Sequence, residues 1–380
     1  MVQLRFGPSA ANFKRKMLTR VAVRFQLTAV RPALESILPK KKTINRLLFD
    51  NDSRLAYKKA MPILTTIYTN LDTPDQIKLP TYTKHDDLMM LRSILHDLRS
   101  VTNSINKNLV ELENELVEQA AELGNSDAIA MLAFEAVASK DTSKEDYEYA
   151  NNLIRELTEQ QHPLVFKLAG DFAFTKSFHE QAAQYWQQFL ELESDTILAS
   201  HVYSNLGVYY YHYLRPRPNL TEAKLCFEKS VHFGQLDSHI VKAHYYLGQL
   251  YSITDPVLSR YHLEISASKG LQESLPSLGF MELNVFNNVS KALEWFKLGV
   301  EANSDVSCLI GQFDAHVRVG SSAKALKILT NLRGLKSKLE RIIAKGMDNV
   351  PPSYRDLAAS NQVLLSTFFA TRSDAIEKLH

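Results

Sequence analysis

Twelve histidines, two cysteines and a cluster of tyrosines are the side chains here that could do chemistry, and their spacing decides which chemistry is open to them. His239 and His244 stand five apart, so a helix turns them onto different faces and no metal is gripped between them. His179-Glu180 opens like a zinc-protease helix motif but lacks its second histidine. Glu111, Glu113 and Glu115 alternate around a helix, which reads as a solvated face rather than an acid/base pair. Cys226 lies between Leu225 and Phe227 on a packing helix and reads as core, not nucleophile. Cys226 and Cys308 form no CxxC, so neither a disulfide framework nor a cysteine zinc site is expected, and a reducing compartment fits. There is no GxxxxGK[ST], GxGxxG, HExxH or GxSxG in the chain. The expectation is a protein that is not an enzyme and holds no cofactor or metal.

Recognition remains. Tyr209, Tyr210, Tyr211 and Tyr213 follow a Leu-Gly pair; register assigns Tyr210 to packing and turns Tyr211 elsewhere. On the same register Lys167, Asp171, Tyr245 and Gln249 project with Tyr211 to the face where helical-repeat proteins take extended peptides. These five form the candidate peptide groove, a mixed polar and aromatic lining suited to side-chain hydrogen bonds and stacking.

The elements that would position them are helices. Glycine and proline number only 13 each, apolar residues make up 45% and charged residues 23%, the balance of a folded, turn-poor chain. No run approaches 18 consecutive apolar residues, so no transmembrane helix is expected. Charge is uneven: residues 1 to 42 hold ten Lys or Arg against Glu35, a net +9, so with +2 for the whole chain the remainder carries −7. From Lys16 to Phe25 a helix would set Lys16, Arg20 and Arg24 opposite Met17, Leu18, Val21 and Phe25. Arg-rich, acid-poor and amphipathic, residues 1–38 read as a mitochondrial presequence, with a basic nucleic-acid arm as the rival.

Residues 39–115 read as an N-terminal helical region. It has one or two short helices interrupted at Asp50-Asn51-Asp52 and ended near Asp72-Thr73-Pro74. A long helix, or two in line, then carries the seam Leu88, Leu91, Leu95, Leu98, Thr102, Ile105, Leu109, Leu112 and Leu116. Over 116–335 the chain repeats. The run Ala120 to Ala128 opens the series, and Ala169-Gly170, Leu206-Gly207, Leu247-Gly248, Leu278-Gly279 and Ile310-Gly311 recur with glycine intervals of 37, 41, 31 and 32. Small-then-bulky pairs follow, Ala182 with Trp186, Ala223 with Phe227 and Ala292 with Phe296. This resembles the tetratricopeptide pattern in its Sel1-like form and implies an all-α, right-handed α-solenoid of helix pairs, with residues 336–380 as a helical cap.

Three stretches carry a narrower resemblance. They are Pro39-Lys40-Lys41-Lys42-Thr43-Ile44-Asn45 with Leu48-Phe49 and Ser53 to Tyr57, the run Ala120 to Asn125, and Leu278 to Asn288 with Glu294-Trp295-Phe296-Lys297 behind it. Together they are similar to a family of budding-yeast mitochondrial repeat proteins needed for cytochrome c oxidase subunit 2. The resemblance implies a peripheral protein on the matrix side of the inner membrane. Its implied partners are the C-terminal domain of that subunit, which it helps across the membrane, and the inner-membrane translocation machinery. It carries no catalytic motif over. With no acyl anchor or span, membrane association would come from proteins or basic patches such as Lys336 to Arg341. The alternative is an RNA-binding mitochondrial translation activator on a helical-repeat scaffold; the body's net −7 argues against nucleic acid.

Overall fold

The computed structural model describes residues 31–102, 106–344, 346 and 351–379. Of the presequence reading over residues 1–38, residues 1–30 lie outside the described residues, while 31–38 are described and include a short helix at Leu34–Ile37. All the regular structure among the described residues is helical.

Helices begin where a short polar side chain replaces the missing partner of a first-turn N–H. Asn106, Asn125, Ser143, Thr196, Asn219, Asp237, Asp255, Asn288 and Asp305 each accept from a backbone N–H two or three residues ahead. Such a cap is worth about 1 kcal/mol. The chain divides into two compact units, residues 1–192 and 193–380.

In the first unit, α1 (Leu34–Ile37), α2 (Lys41–Asp50), α3 (Tyr57–Thr69), α4 (His85–Thr102) and α5 (Lys107–Glu122) share one apolar core that includes Ile63, Ile67, Leu88, Leu91, Leu112 and Leu116. The break at Asp50 to Asp52 falls where the sequence places it, while α3 ends at Thr69, shortly before the Asp72-Thr73-Pro74 stretch expected to end it. The Leu seam, however, is neither one long rod nor two helices in line. Helices α4 and α5 fold back on each other, so that Arg99 on α4 grips Glu113 on α5 with paired bonds of 2.5 and 2.8 Å. Both halves of the seam thereby bury leucines in a common core, which in-line helices could not do. This also overturns the solvated-face reading of the acids. Glu113 and Glu115 are buried, the former answered by Arg99 and the latter by Gln119 Nε2 at 3.0 Å; Glu111 alone is half-exposed, bound to Arg31 at 2.7 Å.

Two helix pairs complete this unit: α6 (Ser126–Ala138) with α7 (Lys144–Glu159), and α8 (Pro163–Thr175) with α9 (His179–Leu192). In the first, buried Ala133 and Ala150 meet in one cluster, the role Gly170 plays beneath Trp186 in the second. The repeat series thus has its first small contact at Ala133. The Ala120 to Ala128 run instead closes α5, turns at Gly124 with φ +86°, and caps α6 through Asn125.

The second unit stacks four pairs: α10 (Ile197–Val208) with α11 (Leu220–Phe233), α12 (Ser238–Tyr251) with α13 (Pro256–Ser268), α14 (Ser274–Asn284) with α15 (Val289–Asn303), and α16 (Val306–Arg318) with α17 (Ser322–Ala344). Each glycine seen in the sequence admits a bulky neighbour. A Cβ on Gly207 would lie 2.5 Å from Phe227, on Gly248 2.6 Å from Leu263, on Gly279 2.3 Å and on Gly311 2.2 Å from Phe296. No real Cβ tolerates such approaches, so helices can nest this closely only with glycine there. The protein is therefore an all-α fold of tetratricopeptide/Sel1-like helix pairs, and the small residues are its nesting points. The cap ends in two helices, α18 (Pro352–Thr371) and α19 (Ser373–Glu377), separated at Arg372, whose side chain returns to Asp314 on α16 at 3.0 Å. Phe368 closes the end of the core, edge-on to Phe313 at 5.1 Å.

Inside this unit His244 and His262 are buried with their Nδ1 atoms 2.8 Å apart, so one donates and the other accepts, and the accepting ring must be neutral. Burial first, and the neighbouring histidine second, bring the His244 pKa down to about 4; burial lowers His262 as well. A base whose folded pKa lies below its unfolded value of about 6.5 stabilises the fold fully above that pH and loses the contribution as pH falls through the folded value. Urea denaturation at pH 7.5 and pH 4.5 is expected to show a loss of about 2 kcal/mol or more that His244→Phe removes in part. An unchanged pH dependence in that variant would refute the assignment.

Candidate peptide-binding surface

In the second unit α10 packs against α12 and α14 against α16, and Gln249 of α12 reaches Ser277 of α14, so these first helices form one row. Helix α10 does not end cleanly at Val208; it continues as a wider π turn over Tyr209–Tyr213. The extra residue in that turn rotates the tyrosines away from plain helical register. Hence the buried ring is Tyr209, while Tyr210 and Tyr211 are both half-buried against the Phe227 cluster. Register had given the packing role to Tyr210 alone.

Tyr211 leans on Tyr246 with ring centroids 5.1 Å apart, and Tyr246 stacks on the buried Phe227 at 5.0 Å and 12°. His212 Nε2 meets the Tyr246 hydroxyl at 3.1 Å. Tyr245 packs edge-on to Tyr246 at 5.4 Å, and Gln249 donates its amide N–H to the Ser277 hydroxyl on α14 at 2.8 Å. The structure thus brings Tyr211, Tyr245 and Gln249 together through Tyr246 and Ser277. Lys167 and Asp171 belong to the first unit, where they pair with each other at 2.5 Å; Asp171 also accepts from the Trp186 indole at 3.1 Å. Their polar groups are engaged in holding α8 to α9.

Electrostatics keep the strip uncharged. Burial, then the surrounding tyrosines and Glu273, push Tyr246 up to about 12; burial first, then Glu273, raises Tyr245. Burial lowers His212, leaving its imidazole neutral at pH 7. The result is a set of hydroxyls, an amide and a neutral ring over a rigid aromatic base, flanked by exposed Arg215 and Arg217. Such a surface can stack on and hydrogen-bond to a polypeptide. Both cysteines are buried free thiols, and burial drives both pKa values upward, Cys226 to about 12, so they stay protonated. Among the described residues no group of three or more His, Cys, Asp or Glu could hold a metal ion.

Sequence reasoning missed Tyr246, His212 and Ser277. The doublet Tyr245-Tyr246 echoes Tyr210-Tyr211, and that repetition was the available signal.

Residues 30–125 match a family model described as the MSS2 N-terminal domain. Over 354 residues the chain is 31% identical to the mitochondrial protein MSS2 of Saccharomyces cerevisiae, an alignment covering 91% of this chain and 93% of that one. Among crystal structures, a Sel1 repeat protein from Oxalobacter formigenes is 16% identical with a TM-score of 0.41, covering 70% of this chain and 100% of its own. The Sel1-like antigen c5321 of uropathogenic Escherichia coli is 14% identical with a TM-score of 0.44, covering 89% and 82%. On the strength of the nearly full-length yeast alignment, the chain belongs to the MSS2 family.

Proposed function

We propose that this chain is a non-enzymatic assembly factor of cytochrome c oxidase that acts in mitochondria, peripherally on the matrix side of the inner membrane. It stabilises subunit 2 by binding an extended part of that subunit's C-terminal domain, and presents it to the inner-membrane translocation machinery for passage across. The repeat body over residues 116–335 does the capturing, and the presequence lies within residues 1–38, ahead of α1, whose Leu34 belongs to the core. The observation that carries this reading is the neutral Tyr211–Tyr246–Tyr245–Gln249 strip: it can hold a main chain through stacking and hydrogen bonds and has no group poised to alter it. The family and the mitochondrial yeast relative support the compartment. Among the described residues no helix is long and apolar enough to cross a membrane, so attachment falls to protein partners or to the basic face of α17 near Lys336 to Arg341.

Crosslinking in intact mitochondria during organellar translation tests this. The expected product is an adduct with newly made subunit 2. Recovery of RNA instead would favour translational activation, and capture of neither would defeat the reading. Carbonate washing is expected to release the protein from the membrane.

A further inference from the structure

The second unit holds a cavity of about 460 Å³ lined by Phe280, Leu283 and Asn284 of α14, Asp314, Val317 and Arg318 of α16, and Arg372 between α18 and α19. It lies farther along the same row of first helices as the aromatic strip. Its charge is unbalanced. Arg372 is answered by Asp314, through Nε at 3.4 Å and Nη2 at 3.0 Å. Arg318 has only neutral acceptors: its Nη1 donates to the Leu283 carbonyl and to Asn287 Oδ1 at 3.4 Å, and its Nη2 to Asn284 Oδ1 at 3.3 Å.

Counting donors shows what is left over. A guanidinium has five N–H groups, and these bonds use both on Nη1 and one on Nη2. The Nε–H and one Nη2–H have no acceptor in these contacts, and Arg318 is exposed, so an incoming ligand can reach them. With the Asn284 bond on the outer Nη2–H, the Nε–Nη2 edge can meet a carboxylate with two parallel hydrogen bonds. Because arginine can only donate, Asn284 and Asn287 must face it with their carbonyl oxygens, which leaves their amide N–H groups to donate elsewhere. Two features work against an anion: Asp314, whose charge Arg372 already balances, and the C-terminal end of α14, whose Leu283 carbonyl Arg318 covers. With two guanidiniums and one carboxylate, the cavity keeps a net positive charge.

We propose that this cavity binds a carboxylate group of an extended peptide, gripped by the free Nε–Nη2 edge of Arg318. The proposal rests on the reading of the chain as a peptide-capturing protein, and it adds that the captured segment carries an acidic side chain or a free C terminus at this point. Arg318 holds the geometry because α14 pins its other edge, so little side-chain freedom is lost on binding.

Fluorescence anisotropy on the full chain provides the test, with three fluorescein-labelled serine–tyrosine peptides as probes. One carries a glutamate and an amidated C terminus, the second has glutamine in its place, and the third has glutamine and a free terminal carboxylate. The protein is expected to bind at least one carboxylate-bearing probe about tenfold more tightly than the neutral one at low salt, and the better of the two identifies which carboxylate is read. R318Q is expected to bring that ratio close to one. R318K, which keeps the charge without the fork and guards against misfolding of R318Q, is expected to retain only part of it. Equal binding of all three probes by the unaltered protein, or a preference unchanged in R318Q, overturns the subsite. A subunit 2 adduct with no Arg318-dependent preference would leave peptide capture standing and remove this site. An Arg318-dependent preference with no adduct would leave peptide capture and this site standing and remove subunit 2 as the guest.

Discussion

Phe296→Ala is expected to destabilise the protein by about 3–5 kcal/mol, and Gly311→Ala, harmful alone, is expected to be tolerated far better in its presence. Phe296 is fully buried on α15 and wedged between two glycines of neighbouring first helices, Gly279 and Gly311. Removing its ring opens a cavity that the backbones on both sides can only partly close. A methyl added at Gly311 would strike that ring at 2.2 Å and force a shift costing about 1–3 kcal/mol. Without the ring the same methyl enters empty space and gains the helix preference of alanine over glycine, about 1 kcal/mol. The effect of Gly311→Ala should therefore change sign or vanish between the two backgrounds. Urea denaturation followed by circular dichroism measures all four corners of the cycle. Simple additivity would mean that the glycine–phenylalanine contact does not set how the pairs nest.

That contact was legible in the sequence, because nesting leaves a periodic trace: a small residue on one helix and a large one 16 to 20 residues later on the next. Gly170 with Trp186, Gly207 with Phe227 and Gly279 with Phe296 are all physical contacts. Reading failed where two arrangements share one pattern. The Leu seam from Leu88 to Leu116 has the same spacing whether its helices run on or fold back. What distinguishes them is a long-range partner, Arg99 against Glu113, and a single sequence does not print pairings across a hairpin. Glu113 was misjudged for the same reason, since a buried acid differs from a solvated one only through the cation that meets it.

For the candidate groove, helical register alone carries Tyr211, Tyr245 and Gln249 to one face, where the structure places them together, but register assumes that every turn is an α turn. The π turn at Tyr209–Tyr213 breaks that assumption locally, which is why Tyr209 and not Tyr210 is buried. Lys167 and Asp171 share the register, yet the structure spends them on each other and on Trp186. Register says where a side chain starts; its neighbours decide whether its polar groups remain available.

It follows that the tyrosines, not the Lys167–Asp171 pair, should govern capture of a guest. The double variant Y211A/Y245A is expected to lower the yield of subunit 2 adduct about thirtyfold or more. Aromatic anchors at the centre of an interface are commonly worth about 2 kcal/mol each, and one such loss alone gives a factor near thirty. Both rings are half-buried and rest on Tyr246, which keeps its own stack on Phe227, so the base of the strip should survive their truncation. Y211F/Y245F separates the two contributions: it keeps the stacking surfaces and removes only the hydroxyls, which burial holds in their neutral, donating form at Tyr245. If recognition is chiefly stacking, the phenylalanine pair retains most of the yield; if it is chiefly hydrogen bonding, it falls with the alanine pair. Asp171→Asn should move the yield little, while loosening α8 against α9 through the weakened Lys167 pair. An alanine pair that captures its guest as well as the unaltered chain would remove the strip from the mechanism.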